Sequence, residues 1–175
     1  MKQHIKKLLR EGLIREELSD DEMNNLKRFI DSGDESNIEM AFMIASGHGE
    51  DAENALFTYW YNSMNSMNLT WDELKNLEEL YLGGNKLESL PDNIGNLTNL
   101  KKLYLGYNQL KSLPDSIGNL TNLKYLNLSK NQLKDLPESI GKLKKLQRLH
   151  LYGNQLSDEE KARIKKLLPD TDIYF

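Results

Sequence analysis

Few residues in this 175-residue chain have the types and spacing that chemistry requires. Cysteine is absent, which excludes disulfides, thiolate nucleophiles and cysteine-held zinc. The three histidines, His4, His48 and His150, fall in separate segments and share no metal-ligand spacing. The acidic run from Asp31 to Glu35 lacks the alternating ligands and the glycine position of a calcium loop. Gly47-His-Gly-Glu50 is too short to cradle a phosphate. No serine stands in a context that marks it as a nucleophile. We therefore expect no catalytic residues, no metal and no cofactor. What recurs instead is the chemistry of a recognition surface. Tyr81 and Tyr104 stand 23 residues apart, as do Lys102, Tyr125 and Arg148 in succession, and likewise Asn127 and His150. Tyrosine and arginine are the side chains that most often anchor interfaces.

The elements that position these residues share the same interval. From Leu74 to Leu156 one phrase is written four times: LKNLEELYLGGNKLESLPDNIGN from Leu74, LTNLKKLYLGYNQLKSLPDSIGN from Leu97, LTNLKYLNLSKNQLKDLPESIGK from Leu120, and LKKLQRLHLYGNQL from Leu143, each start 23 residues after the last. A fixed period of this length denotes stacked units, none of which can bury its apolar face alone. In the second unit Leu103-Tyr104-Leu105 alternates as a strand does, with both leucines on one face and Tyr104 on the other. Leu110 and Leu113 continue inward around a bend, Pro114 withholds a backbone donor, and Gly118 is expected to supply a positive φ on the return path. Asn85, Asn108, Asn131 and Asn154 recur at one inward-turning offset. A buried amide there needs partners, and an asparagine side chain can both donate to and accept from the backbone of adjoining turns, so these four are expected to form a structural ladder.

The pattern Leu-x-x-Leu-x-Leu-x-x-Asn-x-Leu, as in Leu100–Leu110, followed by Leu-Pro-x-x-Ile-Gly, as in Leu113–Gly118, resembles the leucine-rich repeat family in its 23-residue intracellular and bacterial form. The resemblance implies an α/β solenoid with a short parallel sheet on its concave face, where members of the family mostly bind other proteins. It implies no particular partner.

Outward strand positions form columns across such a sheet: Glu79, Lys102, Tyr125, Arg148; then Tyr81, Tyr104, Asn127, His150; then Gly83, Gly106, Ser129, Tyr152, beside Gly84, Tyr107, Lys130, Gly153. Strands lie about 4.8 Å apart, so column neighbours touch. The candidate partner-binding residues are therefore Tyr81, Lys102, Tyr104, Tyr107, Tyr125, Asn127, Arg148, His150 and Tyr152, on a strip four strands wide.

The flanks read as caps. Residues 1–66 form a helical N-terminal region, 67–156 the repeats and 157–175 a C-terminal cap. Met1–Leu18 has helical apolar spacing, and Ser19-Asp-Asp-Glu22 and Ser36-Asn-Ile-Glu39 are capping boxes opening helices that end near Gly33 and Gly47–Gly49. The stretch 51–66 admits two readings: a third helix packing Leu56, Phe57, Trp60 and Tyr61, which is favoured, or a degenerate repeat over 51–73 that puts Asn62 at the Asn85 offset. Either way its aromatic side chains are expected to cover the open end of the leucine column. Ser157-Asp-Glu-Glu160 reads as a third capping box, and Asp170–Phe175 as a last strand with Ile173 and Phe175 inward.

Composition bounds the partners. Residues 1–73 carry seven Lys/Arg and fifteen Asp/Glu, net −8, while residues 74–175 carry sixteen and twelve, net +4. That mild basic excess is far from the dense stripe nucleic acid requires. No apolar run approaches the roughly 18 residues of a membrane span. Without a secretory pattern at the N-terminus the expectation is a cytoplasmic monomer or weak dimer that binds an unidentified protein or peptide, with neither nucleic acid nor membrane as partner. The excess acid of the N-terminal region leaves a second reading, in which that region is the working module and the repeats support or target it.

Overall fold

The computed structural model describes residues 19–32, 41–42, 44–45, 50–65 and 69–175. The expected helix over Met1–Leu18, the Ser36 capping box and the stop at Gly47–Gly49 lie outside the described residues. The chain divides into two compact units, 1–71 and 72–175.

In the first unit, α1 (Asp20–Asp31) opens on the predicted capping box: Ser19 N–H donates to Glu22 Oε2 at 2.9 Å, and Glu22 N–H donates to Ser19 Oγ at 3.3 Å. Leu26 and Ile30 are its buried face. Residues 50–65 are helical throughout, as α2 (Glu50–Asn65), so the repeat register does not extend back into them. Leu56, Phe57, Trp60 and Tyr61 are buried, and Phe57 meets Trp60 and Trp71 at ring distances of 5.4 and 6.3 Å. Tyr59 ties the helices together by donating to the Asp31 carboxylate at 2.8 Å, and that bond raises its own phenol pKa. Asn62, instead of joining an asparagine ladder, closes the exit of α2: its Nδ2 donates to Leu69 O at 2.7 Å and its Oδ1 accepts from Leu69 N–H at 3.1 Å.

A short helix, α3 (Trp71–Lys75), carries the buried Leu74 into the repeats. There β1 (Glu79–Tyr81), β2 (Lys102–Tyr104), β3 (Tyr125–Asn127), β4 (Arg148–His150) and β5 (Asp172–Tyr174) pair in chain order as one parallel sheet. The register puts Leu80, Leu103, Leu126, Leu149 and Ile173 side by side. The first four are fully buried, and Leu105, Leu110, Ile117 and their counterparts extend the same column inward. The first three strands return through 3-10 turns: Asp92–Asn96, Asp115–Asn119 and Glu138–Lys142. The proline before each of them, Pro91, Pro114 or Pro137, sits extended (φ between −64° and −69°), and its carbonyl accepts from the turn's isoleucine N–H at 3.0–3.1 Å.

Gly118 corrects an expectation. Its φ is not positive; among the described residues the positive φ values fall at Gly84 and Gly153 (74° and 73°), at the same offset at Tyr107 and Lys130 (59° and 55°), and at Lys86 (59°). Glycine is needed at 118 because a Cβ there would lie 2.5 Å from Ser139 O and 2.7 Å from Ser139 Cβ. The stacking distance between successive 3-10 turns therefore excludes a side chain.

The asparagine ladder forms. Asn108 Oδ1 accepts from Asn85 N–H and Leu87 N–H, both at 3.0 Å, and its Nδ2 donates to Leu82 O at 2.7 Å and Leu105 O at 3.0 Å. Asn131 repeats the arrangement one unit on, accepting from Leu110 N–H and donating to Leu105 O and Leu128 O, all at 3.0 Å. Asn154 accepts from Leu133 N–H at 3.0 Å and donates to Leu128 O and Leu151 O at 2.9 and 2.8 Å. Asn85, in the first repeat, reaches Gly83 O at 3.5 Å.

At the far end α4 (Asp158–Leu167) buries Ile164, and the following Leu168 is buried too. Ser157 caps it, but Glu160 does not complete the predicted box. Its Oε1 instead accepts from Leu136 N–H at 2.9 Å, and its carboxylate holds Arg163 in a two-bond fork at 2.7 Å each. Arg163 also bonds Glu138 and Leu136 O. The backbone N–H of the buried Leu136 thus outcompetes the helix's own N-terminus for this carboxylate.

Candidate functional site

The two-residue alternation of each strand puts Glu79, Tyr81 and their equivalents on the sheet face opposite the leucines. The register aligns Tyr81, Tyr104, Asn127, His150 and Tyr174 as one row and Glu79, Lys102, Tyr125, Arg148 and Asp172 as the next. Both predicted columns therefore stand, and each gains a fifth member. Tyr174 escaped the sequence reading because β5 lies 24 residues beyond β4 in register, so the strict period lands on the inward Ile173. The alternation Ile173-in, Tyr174-out, Phe175-in was the signal that could have found it.

The rings form one unbroken series. Tyr81 and Tyr104 stack at 4.5 Å with an interplanar angle of 5°. Tyr125 leans across from its own column to meet Tyr104 at 5.1 Å and His150 at 5.3 Å. His150 stacks on Tyr174 at 4.6 Å and 14°. The gap that Tyr125 fills stands over Asn127, whose Oδ1 is turned aside to accept from Ser129 N–H at 3.0 Å and Ser129 Oγ at 2.6 Å. Tyr152 meets the edge of His150 at 6.4 Å and lies under Lys130 Nζ at 5.9 Å. Tyr107 is 66% exposed and stands on a left-handed backbone, outside the ring series. Because the rings lean on one another in series, stacked at the two ends and tilted at Tyr125, they present edges and hydroxyls to solvent, and the edge is the positive end of an aromatic quadrupole.

Charge is distributed unevenly beside the rings. Lys102 Nζ pairs with Glu79 at 2.8 Å, Lys101 pairs with Glu78, and Lys111 pairs with Glu88. All three pairs are Glu to Lys at 23 residues, a repeat-to-repeat pattern visible in the sequence but not extracted from it. The Tyr81 hydroxyl donates to Glu79 Oε2 at 2.5 Å, which pushes its pKa up to about 12. The Glu79 carboxyl is held low by the hydrogen bonds from Lys102 and Tyr81. Burial, then the nearby Arg148 charge, lowers the His150 pKa, and burial raises that of Tyr125. An open groove of about 430 Å³ runs along the N-terminal ends of β1 to β4, between Glu78 and Glu79 at one end and Gln147 and Arg148 at the other. Among the described residues no three His, Asp or Glu side chains converge as a metal site requires, and no helix is long and apolar enough to cross a membrane.

Comparison with known proteins agrees with this geometry. Residues 98–156 match the family described as leucine-rich repeat, and residues 75–119 match its two-copy form. No curated protein matches the chain. Among solved structures the chain is similar to a leucine-rich repeat protein of Leptospira interrogans, at 50% identity and a TM-score of 0.56 over 57% of this chain and 25% of that one. It is also similar to an internalin of Listeria monocytogenes, at 31% identity and a TM-score of 0.52 over 62% of this chain and 31% of that one. The chain thus spans only about a quarter to a third of the length of either protein. With their 23-residue spacing, in-register parallel strands and asparagine ladder, residues 75–156 belong to the leucine-rich repeat family.

Proposed function

We propose that the chain is a non-catalytic binding scaffold whose sheet face holds a segment of another protein. The observation that carries this reading is the series of five aromatic rings in contact across five strands, with rims exposed. Tyr81 and Tyr174, at its two ends, are 55% and 47% exposed. Large exposed apolar surface on a rigid face is costly to leave in water unless something docks on it. Cross-strand aromatic pairs also stabilise a sheet, but sheet stability does not require hydroxyl rims left open to solvent. The face comprises Tyr81, Lys102, Tyr104, Tyr107, Tyr125, Asn127, Arg148, His150 and Tyr152, now joined by Tyr174. Five strands at about 4.8 Å spacing give a strip about 19 Å long, the span of roughly six extended residues.

The double substitution Tyr104→Ala, Tyr125→Ala tests the reading. These side chains are half-buried on the solvent face, so the array keeps its far-ultraviolet circular dichroism while captured proteins disappear from a native-extract pull-down. Equal capture by wild type and variant refutes the site.

The −8 charge of residues 1–73 favours one other reading, in which the acidic N-terminal region binds and the repeats serve as its arm. Deleting residues 1–50 separates the two. Binding survives if the sheet face carries it and is lost if the acidic region does.

A further inference from the structure

We infer that the segment this face takes is acidic, with two carboxylates two positions apart in its sequence that fall on Lys124 and Arg148. The inference rests on the binding role proposed for the sheet face and specifies its ligand.

The groove beside the rings holds four lysine or arginine side chains at the starts of β2, β3 and β4 and two carboxylates, Glu78 and Glu79, at the start of β1. Those carboxylates are consumed by Lys101 and Lys102 in the first two repeats. Lys124 and Arg148 remain. Among the described residues neither has an acidic side chain within ion-pair distance, although Asp172 stands beside Arg148 in register. The groove is thus internally neutralised at the β1 end and uncompensated at the β4 end. The ring rims nearby reinforce the same sign: aromatic edges and phenol O–H groups favour anions, and Tyr125 stands beside Arg148 in register.

Geometry fixes the spacing. Lys124 immediately precedes β3, and Arg148 begins β4. One strand spacing across and one residue along separate their Cα positions by about 6 Å; within a strand that offset would turn the two side chains to opposite faces, but Lys124 lies before β3 begins and both side chains line the same groove. Alternate residues of an extended chain lie about 6.6 Å apart on one face. An acidic-x-acidic segment crossing the strands therefore reaches both cations, whereas adjacent carboxylates point to opposite sides. Two uncompensated cations are too few to track a nucleic-acid backbone, which engages many phosphates at once.

The experiment selects dodecapeptides from a random display library on the immobilised full chain. Binders also held by Tyr104→Ala, Tyr125→Ala are discarded. The recovered peptides and their Glu-to-Gln and Asp-to-Asn twins are then measured by fluorescence anisotropy. We expect enrichment of acidic-x-acidic sequences. The amide twin and the Lys124→Gln, Arg148→Gln variant should each weaken binding by about tenfold, and added salt should do the same in part. Lys124→Glu, Arg148→Glu should reverse the preference towards a lysine twin, an outcome that misfolding cannot produce. Tyrosine-dependent binders without acidic enrichment, or binding indifferent to both charge variants, overturn this inference and leave the sheet-face site standing. Tighter binding of an oligothymidylate than of any peptide at the same two residues also overturns it. Recovery of no tyrosine-dependent binder overturns the sheet-face reading and this inference with it.

Discussion

Replacing Asn108 by alanine isolates what one step of the asparagine ladder is worth. The side chain is 7% exposed and makes four hydrogen bonds to backbone groups of two repeats. Removing it does not orphan all four. Leu105 O keeps its bond from Asn131 Nδ2 at 3.0 Å. Leu87 N–H is left buried without its acceptor and Leu82 O buried without this donor, and Asn85 N–H, half-buried, loses the same oxygen as Leu87. Two buried orphans cost about 1–3 kcal/mol each and the half-buried one less, so the loss is about 3–5 kcal/mol. Urea unfolding followed by circular dichroism measures it against Asn99→Ala. Asn99 is an exposed amide bonded to Lys75 O and Asn76 Oδ1, and its loss should cost under about 0.5 kcal/mol. Asn108→Asp sharpens the test. The carboxylate still accepts from both N–H groups, yet it faces the Leu82 and Leu105 carbonyls without a proton to donate. Burial and those carbonyls raise its folded pKa above its unfolded value. Its stability is then fully present at pH below the unfolded value and falls as pH rises through the folded one. Equal stabilities of Asn108→Ala and Asn99→Ala, or an Asn108→Asp variant indifferent to pH, would refute the ladder as a source of stability.

Three other outcomes follow from the geometry. Gly118→Ala, which drives a Cβ into Ser139 backbone, should cost about 2–3 kcal/mol in the same urea assay, against about 1 kcal/mol for Gly84→Ala, where the space is open and only the positive φ resists. Glu160→Ala should cost about 1–2 kcal/mol by freeing Leu136 N–H and Arg163. Because Arg163 holds the Glu160 carboxyl below its ordinary 4.5, the wild-type advantage should be intact above that value and vanish as pH falls through the lowered pKa. In an ultraviolet titration Tyr81 should ionise near 12, and Glu79→Gln should bring it back towards 10; an unchanged midpoint refutes the Glu79 bond.

The sequence alone determined the repeat unit, the leucine column, the asparagine ladder and the facing of each strand residue. All of these follow from a period of 23 and an alternation of two, and both are local properties written identically in successive units. The capping box at Ser19 was legible for the same reason, since its partners lie three residues apart. Tertiary structure decided what depends on contacts between distant segments. The choice of helix over degenerate repeat at 50–65 was set by packing of Phe57, Trp60 and Tyr61, which propensity does not fix. Glu160 chose the Leu136 backbone over its own helix start because the bend of the third repeat, with its buried Leu136, came within reach. Gly118 proved to be a steric requirement of stacking, though its type suggested a torsional one. Tyr174 joined the ring series only because α4 displaced the last strand by one residue from the period. Tyr125 left its column because Asn127 turned away to bond Ser129. Periodicity assigns each side chain to a face, but rotamers and neighbours determine which of those side chains touch.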